Sequence, residues 1–350
     1  MDQKIDKEMI VQEALLETSE ELSRVAFGFM ASKALFAGLH IGLFTHLGDG
    51  PMTIDEICQA TKVPRNRIVT LVTALSSIGA LKAEDGGKYA NSPASEHFLV
   101  QGARYDFGDY LRYQIDKQMY PFMQQLNDVL DGKPDETAVD SYAHWMSDAE
   151  QARLYSEAQH SGSLGPGRTL ARTVDLSHAR QLLDVGGGTG AMTISLCKAY
   201  PNLESTIIEF PNVAEIGWDF VSEADLVNRV RYIPGNALSS TWPTDQDAVL
   251  MSYLLSGVPG DRIADLLVWS RDSLVPGGVV MIHDFMVDTN RKGPTLAALW
   301  QLQHLAFTPD AQSISTGWLE KALRDVGFDV VHSDDLIPSM TKLIVGKKPL

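Results

Sequence analysis

Leu182-Leu183-Asp184-Val185-Gly186-Gly187-Gly188-Thr189-Gly190 decides the fold. An apolar run suited to a buried strand enters a glycine-rich turn, and Met192-Thr193-Ile194-Ser195-Leu196 then opens a helix. Glycines at such a turn let the backbone approach a ligand closely and adopt positive φ. Nineteen residues beyond Gly190, Glu209 ends the next expected strand, where a carboxylate can accept both hydroxyls of a ribose. Turn, helix and downstream carboxylate together imply a nucleoside ligand. A dinucleotide site would read G-x-G-x-x-G and seat a pyrophosphate on the helix N-terminus. Here the spacing is G-x-G-x-G, and the preceding Asp184 would repel a pyrophosphate but receive an ammonium. The ligand that fits both ends is S-adenosylmethionine.

Outward from this turn, strands are expected at 181–185, 205–210, 230–233, 248–253, 279–283, 330–333 and 342–345. Helical segments separate most of them, as a parallel sheet covered on both faces requires. Pro234-Gly235-Asn236-Ala237-Leu238 follows the third of these strands and offers a polar side chain to an adenine.

The N-terminal third reads differently. A long apolar-rich stretch, 24–47, ends at Gly48-Asp49-Gly50-Pro51, and Thr53-Ile54-Asp55-Glu56 supplies a capping box. Pro64 opens a helix whose Ile68, Leu71, Val72 and Leu75 share one face. Leu81-Lys82-Ala83 and Lys88-Tyr89-Ala90 flank Glu84-Asp85-Gly86-Gly87, a hairpin signal. Helix, turn, helix and hairpin spell a winged helix over 1–105. Residues 1–100 carry nine Lys and Arg against thirteen Asp and Glu, and the recognition helix offers only Arg65 and Arg67. That balance excludes duplex binding and leaves a packing or dimerisation module.

Residues 106–175 form a helical middle rich in aromatics and Met, interspersed with Arg112, Gln114, His144, Gln159 and His160. This mixture suits a mostly apolar pocket with a few placed polar contacts. The α/β core then occupies 176–350. The chain of 350 residues has a net charge of −16, 44% apolar residues and two cysteines, Cys58 and Cys197. Such a composition describes a globular protein with reduced, buried thiols. With no signal-like N-terminus and no apolar run near ~20 residues, a cytoplasmic protein without a membrane span is expected.

These motifs resemble the small-molecule O-methyltransferases, which include plant caffeate and hydroxyindole enzymes and bacterial relatives. The resemblance covers nearly the whole chain and rests on the glycine-rich turn, Glu209-Phe210-Pro211, Gly235-Asn236 and Leu274-Val275-Pro276-Gly277-Gly278. It implies a Rossmann-like class I methyltransferase domain behind an N-terminal winged-helix dimerisation domain. It also implies an intertwined homodimer and no metal. Gly186 and Gly188 should touch the cofactor, Glu209 the ribose, and Asn236 with Ala237 the adenine; Asn236 stands where the family usually has Asp. Asp184, Ser163 and Ser252 complete the expected cofactor contacts.

One departure bears on the reaction. Where the family has Leu-His-Asp-Trp, with the His as base, this chain has Leu255-Ser256-Gly257-Val258. A phenol loses its proton with a pKa of about 10, so an O-methyltransferase gains from a base. Three readings follow. The acceptor needs no base, as for a thioether sulfur. Alternatively the base has moved to His283-Asp284, which falls where plant members carry a glutamate, with Tyr142 as a further catalytic candidate. In the third reading methyl transfer is lost, as in methyltransferase-like pericyclases. Arg112, Tyr113, His144, Tyr155, Gln159, His160 and His304 are the candidates for the acceptor site, although His304 reads equally as a core histidine. Base-free chemistry gives the chain a likeness to bacterial S-methyltransferases of 4-methylthio-2-hydroxybutyrate, on the route to dimethylsulfoniopropionate. A C-methyltransferase of the bacteriochlorophyllide type is the rival.

Overall fold

The computed structural model describes residues 15–132, 142–308 and 310–350. The N-terminal module is a winged helix, as its capping and periodicity predict. Thr53 Oγ1 accepts from Glu56 N while Glu56 Oε2 accepts from Thr53 N at 2.7 Å, which starts the helix Ile54–Thr61. Ile68, Val72 and Leu75 of the helix Arg65–Ser77 are fully buried against Leu43, Phe44 and Ile57. The wing pairs β2 (Leu81–Glu84) with β3 (Lys88–Asn91), and β1 (Met52–Thr53) adds to the far side of β3.

The apolar stretch 24–47 is not one helix. It breaks at Phe27 and at Gly42, giving Gly28–His40 and Leu43–Gly48 after a first helix, Ser19–Ala26. Contrary to the sequence expectation, Ser19–His40 taken together is long and apolar enough to cross a membrane by length and composition. Leu22, Val25, Phe27, Phe29 and Met30 are exposed along it, so this module presents a broad apolar face.

Two helical segments connect the module to the core. Tyr110–Met119 winds as a ten-residue π-helix, a form that recurs at functional sites. It packs on the 25-residue helix Ala149–Thr173, whose start is capped by Asp148.

The core sheet contains β4 (Gln181–Val185), β5 (Glu204–Glu209), β6 (Val230–Pro234), β7 (Gln246–Ser252), β8 (Leu274–Asp284), β9 (Asp329–Ile337) and β10 (Thr341–Lys347). Their order is β6-β5-β4-β7-β8-β10-β9. Successive residues on a strand face opposite sides, so Leu182, Leu250 and Met281 pack on one face while Leu183, Met251 and Ile282 pack on the other. Both faces are covered, which explains the near-continuous apolar runs.

The sheet is not wholly parallel. β10 runs antiparallel to both β8 and β9. Only residues 338–340 separate β9 from β10, and so short a link permits a hairpin but not a crossover. The chain also reverses direction across the sheet between β4 and β7, which opens a crevice at their C-terminal ends.

Removing the cap at Thr53 should cost about 1 kcal/mol of stability. Urea unfolding of Thr53→Ala should show a lower midpoint with an unchanged slope.

Candidate active site

The crevice holds a cavity of about 440 Å³. Asp184, Gly186 and Gly187 line it from the first turn, Glu209 from the end of β5, and Asn236 and Ala237 from the turn after β6. Ser252 and Tyr253 close it from β7, and Tyr155, Gln159 and Ser163 from the helix Ala149–Thr173.

The turn is fixed by close approach. A Cβ on Gly187 would lie 2.6 Å from Asp184 Cγ and 2.8 Å from Ile207 Cγ2, so only glycine fits. Gly186 has φ +67°, a conformation other residues rarely adopt.

Asp184 is fully buried. Its Oδ2 accepts from Thr193 Oγ1 at 2.7 Å, and its Oδ1 has no hydrogen-bond partner among the described residues. Burial pushes the carboxyl up to about 7; Thr193 pulls it down and the nearby Glu209 raises it again. Glu209 is also raised by burial, an effect opposed by N–H bonds from Phe210 to Oε1 at 2.7 Å and from Gly188 to Oε2 at 2.8 Å. Gly188 therefore orients Glu209 and does not itself line the cavity. Asn236 Oδ1 accepts from Leu238 N at 2.9 Å, so the oxygen expected to read an adenine amine already holds its own turn. Gln159 Oε1 is buried without a partner, while its Nε2 makes a long bond to Ser163 Oγ, 3.4 Å.

The expected relocated base needs correction. His283 is fully buried and does not line the cavity. Its Nδ1 shares a hydrogen bond with Ser252 Oγ at 2.9 Å, and its Nε2 shares one with Thr341 Oγ1 at 2.8 Å. Burial lowers its pKa to about 3, so the ring is neutral and both nitrogens are engaged. Asp284 is equally occupied: Oδ1 accepts from Ser256 Oγ at 2.7 Å and Phe285 N at 2.8 Å, and Oδ2 from Ser256 N at 3.0 Å. Ser256, in the place of the family's His, is thus tied to a buried carboxylate as part of the turn after β7.

Several acceptor candidates also lie elsewhere. His160 hydrogen-bonds Thr189 Oγ1 at 2.7 Å and stacks on Phe220 at 3.8 Å; burial brings its pKa to about 4. It locks the long helix to the glycine turn. Arg112 pairs with Asp109 and lies 4.6 Å over the Tyr113 ring, and neither Arg112 nor Tyr113 lines the cavity. His144 is exposed. His304 is buried beside a second, smaller cavity. Tyr142 falls in the helix Tyr142–Trp145, but its side chain lies outside the described residues.

Sequence reasoning missed a run of rings that continues from the cavity wall. Tyr253 lies 5.3 Å from Phe285, Phe285 stacks on Trp300 at 4.4 Å, and Trp300 stacks on Tyr110 at 6.2 Å. Tyr253 has φ +57°, a strained backbone for an aromatic residue and a feature that clusters at functional sites. No local pattern in the sequence announces it.

Residues 124–329 match the family model of the O-methyltransferase domain, and residues 23–101 that of the O-methyltransferase dimerisation domain. The chain belongs to the O-methyltransferase family. As a member it is an S-adenosylmethionine-dependent methyltransferase. It is 28% identical to the 3-hydroxy-5-methyl-1-naphthoate 3-O-methyltransferase of Streptomyces sahachiroi, over 82% of this chain and 83% of that one. It is 26% identical to the L-tyrosine C(3)-methyltransferase of Streptomyces lavendulae, over 89% and 87% of the two chains. The fold is also that of human N-acetylserotonin methyltransferase, solved in complex with SAM, with a TM-score of 0.85 at 21% identity over 97% and 99% of the chains.

This methyltransferase should bind its cofactor in a pH-dependent way. Were Asp184 to hold the cofactor's ammonium it would have to be ionised, and S-adenosylmethionine affinity, measured by calorimetry, would then fall by about tenfold per unit as pH drops below about 7. The ligand-free protein should behave oppositely. Because the folded pKa is raised, the stabilising effect of the neutral carboxyl is complete below about 4 and is lost progressively up to about 7. Its melting temperature should therefore fall between pH 5 and 7. Gly187→Ala should cost about 2 kcal/mol by overpacking and abolish cofactor binding.

Proposed function

We propose that this enzyme methylates an oxygen or carbon of a small aromatic acceptor. The observation that carries the reading is Tyr253 on the cavity wall, from which the rings of Phe285, Trp300 and Tyr110 continue into the protein. A ring at the cavity wall is suited to hold a planar acceptor by face contact, and the stacked rings behind it keep it in place. The relatives named above support it, since their names assign ring oxygen and ring carbon as targets.

S-adenosylmethionine supplies a methyl group made electrophilic by its sulfonium. The unpartnered Oδ1 of Asp184 and the unpartnered Oε1 of Gln159 fit a cofactor end that carries an ammonium. Glu209, fixed by two backbone N–H groups, would hold the ribose, and the turn at Asn236 and Ala237 would border the adenine. Ser163 and Ser252 complete this wall. With His283 and Asp284 engaged in structure, the protein contributes chiefly positioning and exclusion of water.

The sequence put a thioether acceptor first because sulfur needs no base. The relatives do not favour that reading, and nothing among them points to dimethylsulfoniopropionate chemistry. The exposed apolar face of Ser19–His40 fits burial in a homodimer, in line with the matched dimerisation domain. The two free cysteines, of which Cys197 is buried with its thiol pushed up to about 11, fit the cytoplasm.

Purified protein with methyl-labelled S-adenosylmethionine should label hydroxylated aromatics and leave thioether acids unlabelled. Labelling of thioether acids alone would restore the S-methylation reading, and no turnover with any acceptor would favour a non-methylating enzyme. Trp300→Ala should lower kcat/KM for the aromatic acceptor by about tenfold or more while leaving cofactor affinity unchanged.

A further inference from the structure

A second cavity, of about 230 Å³, lies on the flank of the helix Thr295–Phe307, bounded by Ser256, Val287 and residues 311–313. It has room for about eight water-sized groups at ~30 Å³ each. His304 lines it, is 5% exposed, and has no hydrogen-bond partner on either ring nitrogen among the described residues. Burying an imidazole unpaired is costly, so a site that leaves it so is built to receive a partner from outside.

Arg291 stands at the same cavity and supplies the charge. Its Nη1 donates to Ser313 Oγ at 2.8 Å and its Nη2 to Ser313 O at 3.2 Å, which hold the guanidinium at the rim. Asp288, near it in sequence, pairs instead with Lys342 Nζ at 2.9 Å, an ammonium that Asp335 shares at 2.7 Å. Among the described residues Arg291 has no acidic partner. Gln312 donates to Ser313 O at 3.1 Å, and a second amide of the wall is fully engaged. Gln301 donates to Phe285 O at 2.6 Å and Ile314 O at 2.7 Å, and accepts from Ser313 Oγ at 2.7 Å. Val287, Ala298, Leu302 and Leu305 make the rest apolar.

We infer that this cavity binds a small carboxylate, with Arg291 holding the anion and His304 taking a hydrogen bond from or to its other end. A single guanidinium with apolar walls suits a monoanion with a short carbon body; a phosphate dianion would call for more donors. The carboxylate comes either from a free metabolite or from an arm of the acceptor. The second source rests on the aromatic-acceptor reading.

Calorimetry of the full chain with lactate, propionate, benzoate and inorganic phosphate tests the site directly. At least one carboxylate should bind and phosphate should not. R291Q should weaken that binding by at least about tenfold, R291K by less, and both should keep the cofactor affinity of the unaltered protein. H304L should weaken hydroxy-carboxylates more than propionate. If the arm of the acceptor is the ligand, R291Q should raise KM at least about tenfold for hydroxylated aromatics that carry a carboxylate, and leave those without one unchanged. Absence of both carboxylate binding and a KM effect, or equal binding of phosphate, overturns the inference. The calorimetric arm stands whatever acceptor the enzyme proves to use.

Discussion

The structure depends on a pair of buried carboxylates. Asp184 and Glu209 end adjacent parallel strands, and each is withdrawn from water that would otherwise stabilise its charge. Such groups persist only where hydrogen bonds or a cation offset the lost hydration. Thr193 provides one bond to Asp184, and the backbone of Gly188 and Phe210 provides two to Glu209. Those bonds dictate the glycine turn, because the N–H of Gly188 reaches Glu209 only if the chain bends tightly over Asp184. The turn in turn sets the helix Ala191–Ala199 and the anchoring bond from Tyr232 to Gly188 O, 3.0 Å. One oxygen of Asp184 stays without a hydrogen-bond partner among the described residues, which fits the proposed contact with a cationic cofactor.

A third buried carboxylate organises the other end of the crevice. Asp284 gathers the backbone and hydroxyl of Ser256 and the N–H of Phe285, so the turn after β7 and the exit from β8 are one hydrogen-bonded unit. In this arrangement a serine at 256 is structural. The same unit leaves Tyr253 in a left-handed conformation at the cavity wall and starts the aromatic run toward Trp300. Ring surface and a proton-accepting group thus trade places at this end of the sheet: the chain presents the first and buries the second.

Most of the cofactor half was legible in the sequence because it is local. A strand, a turn and a helix lie within nineteen residues, and the capping box and winged-helix periodicity lie within similarly short windows. The reversal of β10 was not legible, because the expected strands 330–333 and 342–345 hid the three-residue link that the observed strand ends reveal. The acceptor half was not. Tyr110, Tyr253, Phe285 and Trp300 come from four separate segments and meet only through tertiary packing. His283-Asp284 was misleading for a geometric reason: neighbours on a strand face opposite sides. Side chains that look like an adjacent pair in sequence part company: His283 bridges β7 and β10, while Asp284 holds the turn after β7. His160 misled for another reason, since a ring between Thr189 and Phe220 satisfies the same sequence pattern as a pocket ligand.

The missing base and the aromatic walls together constrain the acceptor more than either does alone. A ring hydroxyl of ordinary acidity, pKa about 10, is almost fully protonated at neutral pH and is a poor nucleophile without assistance. Among the described residues His283 gives no such assistance, being neutral, buried and hydrogen-bonded through both nitrogens. An acceptor that carries its own reactivity, as a hydroxyl acidified by its substituents or a ring carbon made nucleophilic by one, would fit such a site. A carboxylate on such a ring would not disturb this chemistry and would give the protein a handle for orientation. Orientation is what the architecture is suited to supply: the turns at Asp184 and Glu209 border one side of the cavity and Tyr253 the other, each fixed by hydrogen bonds of Glu209 or Asp284.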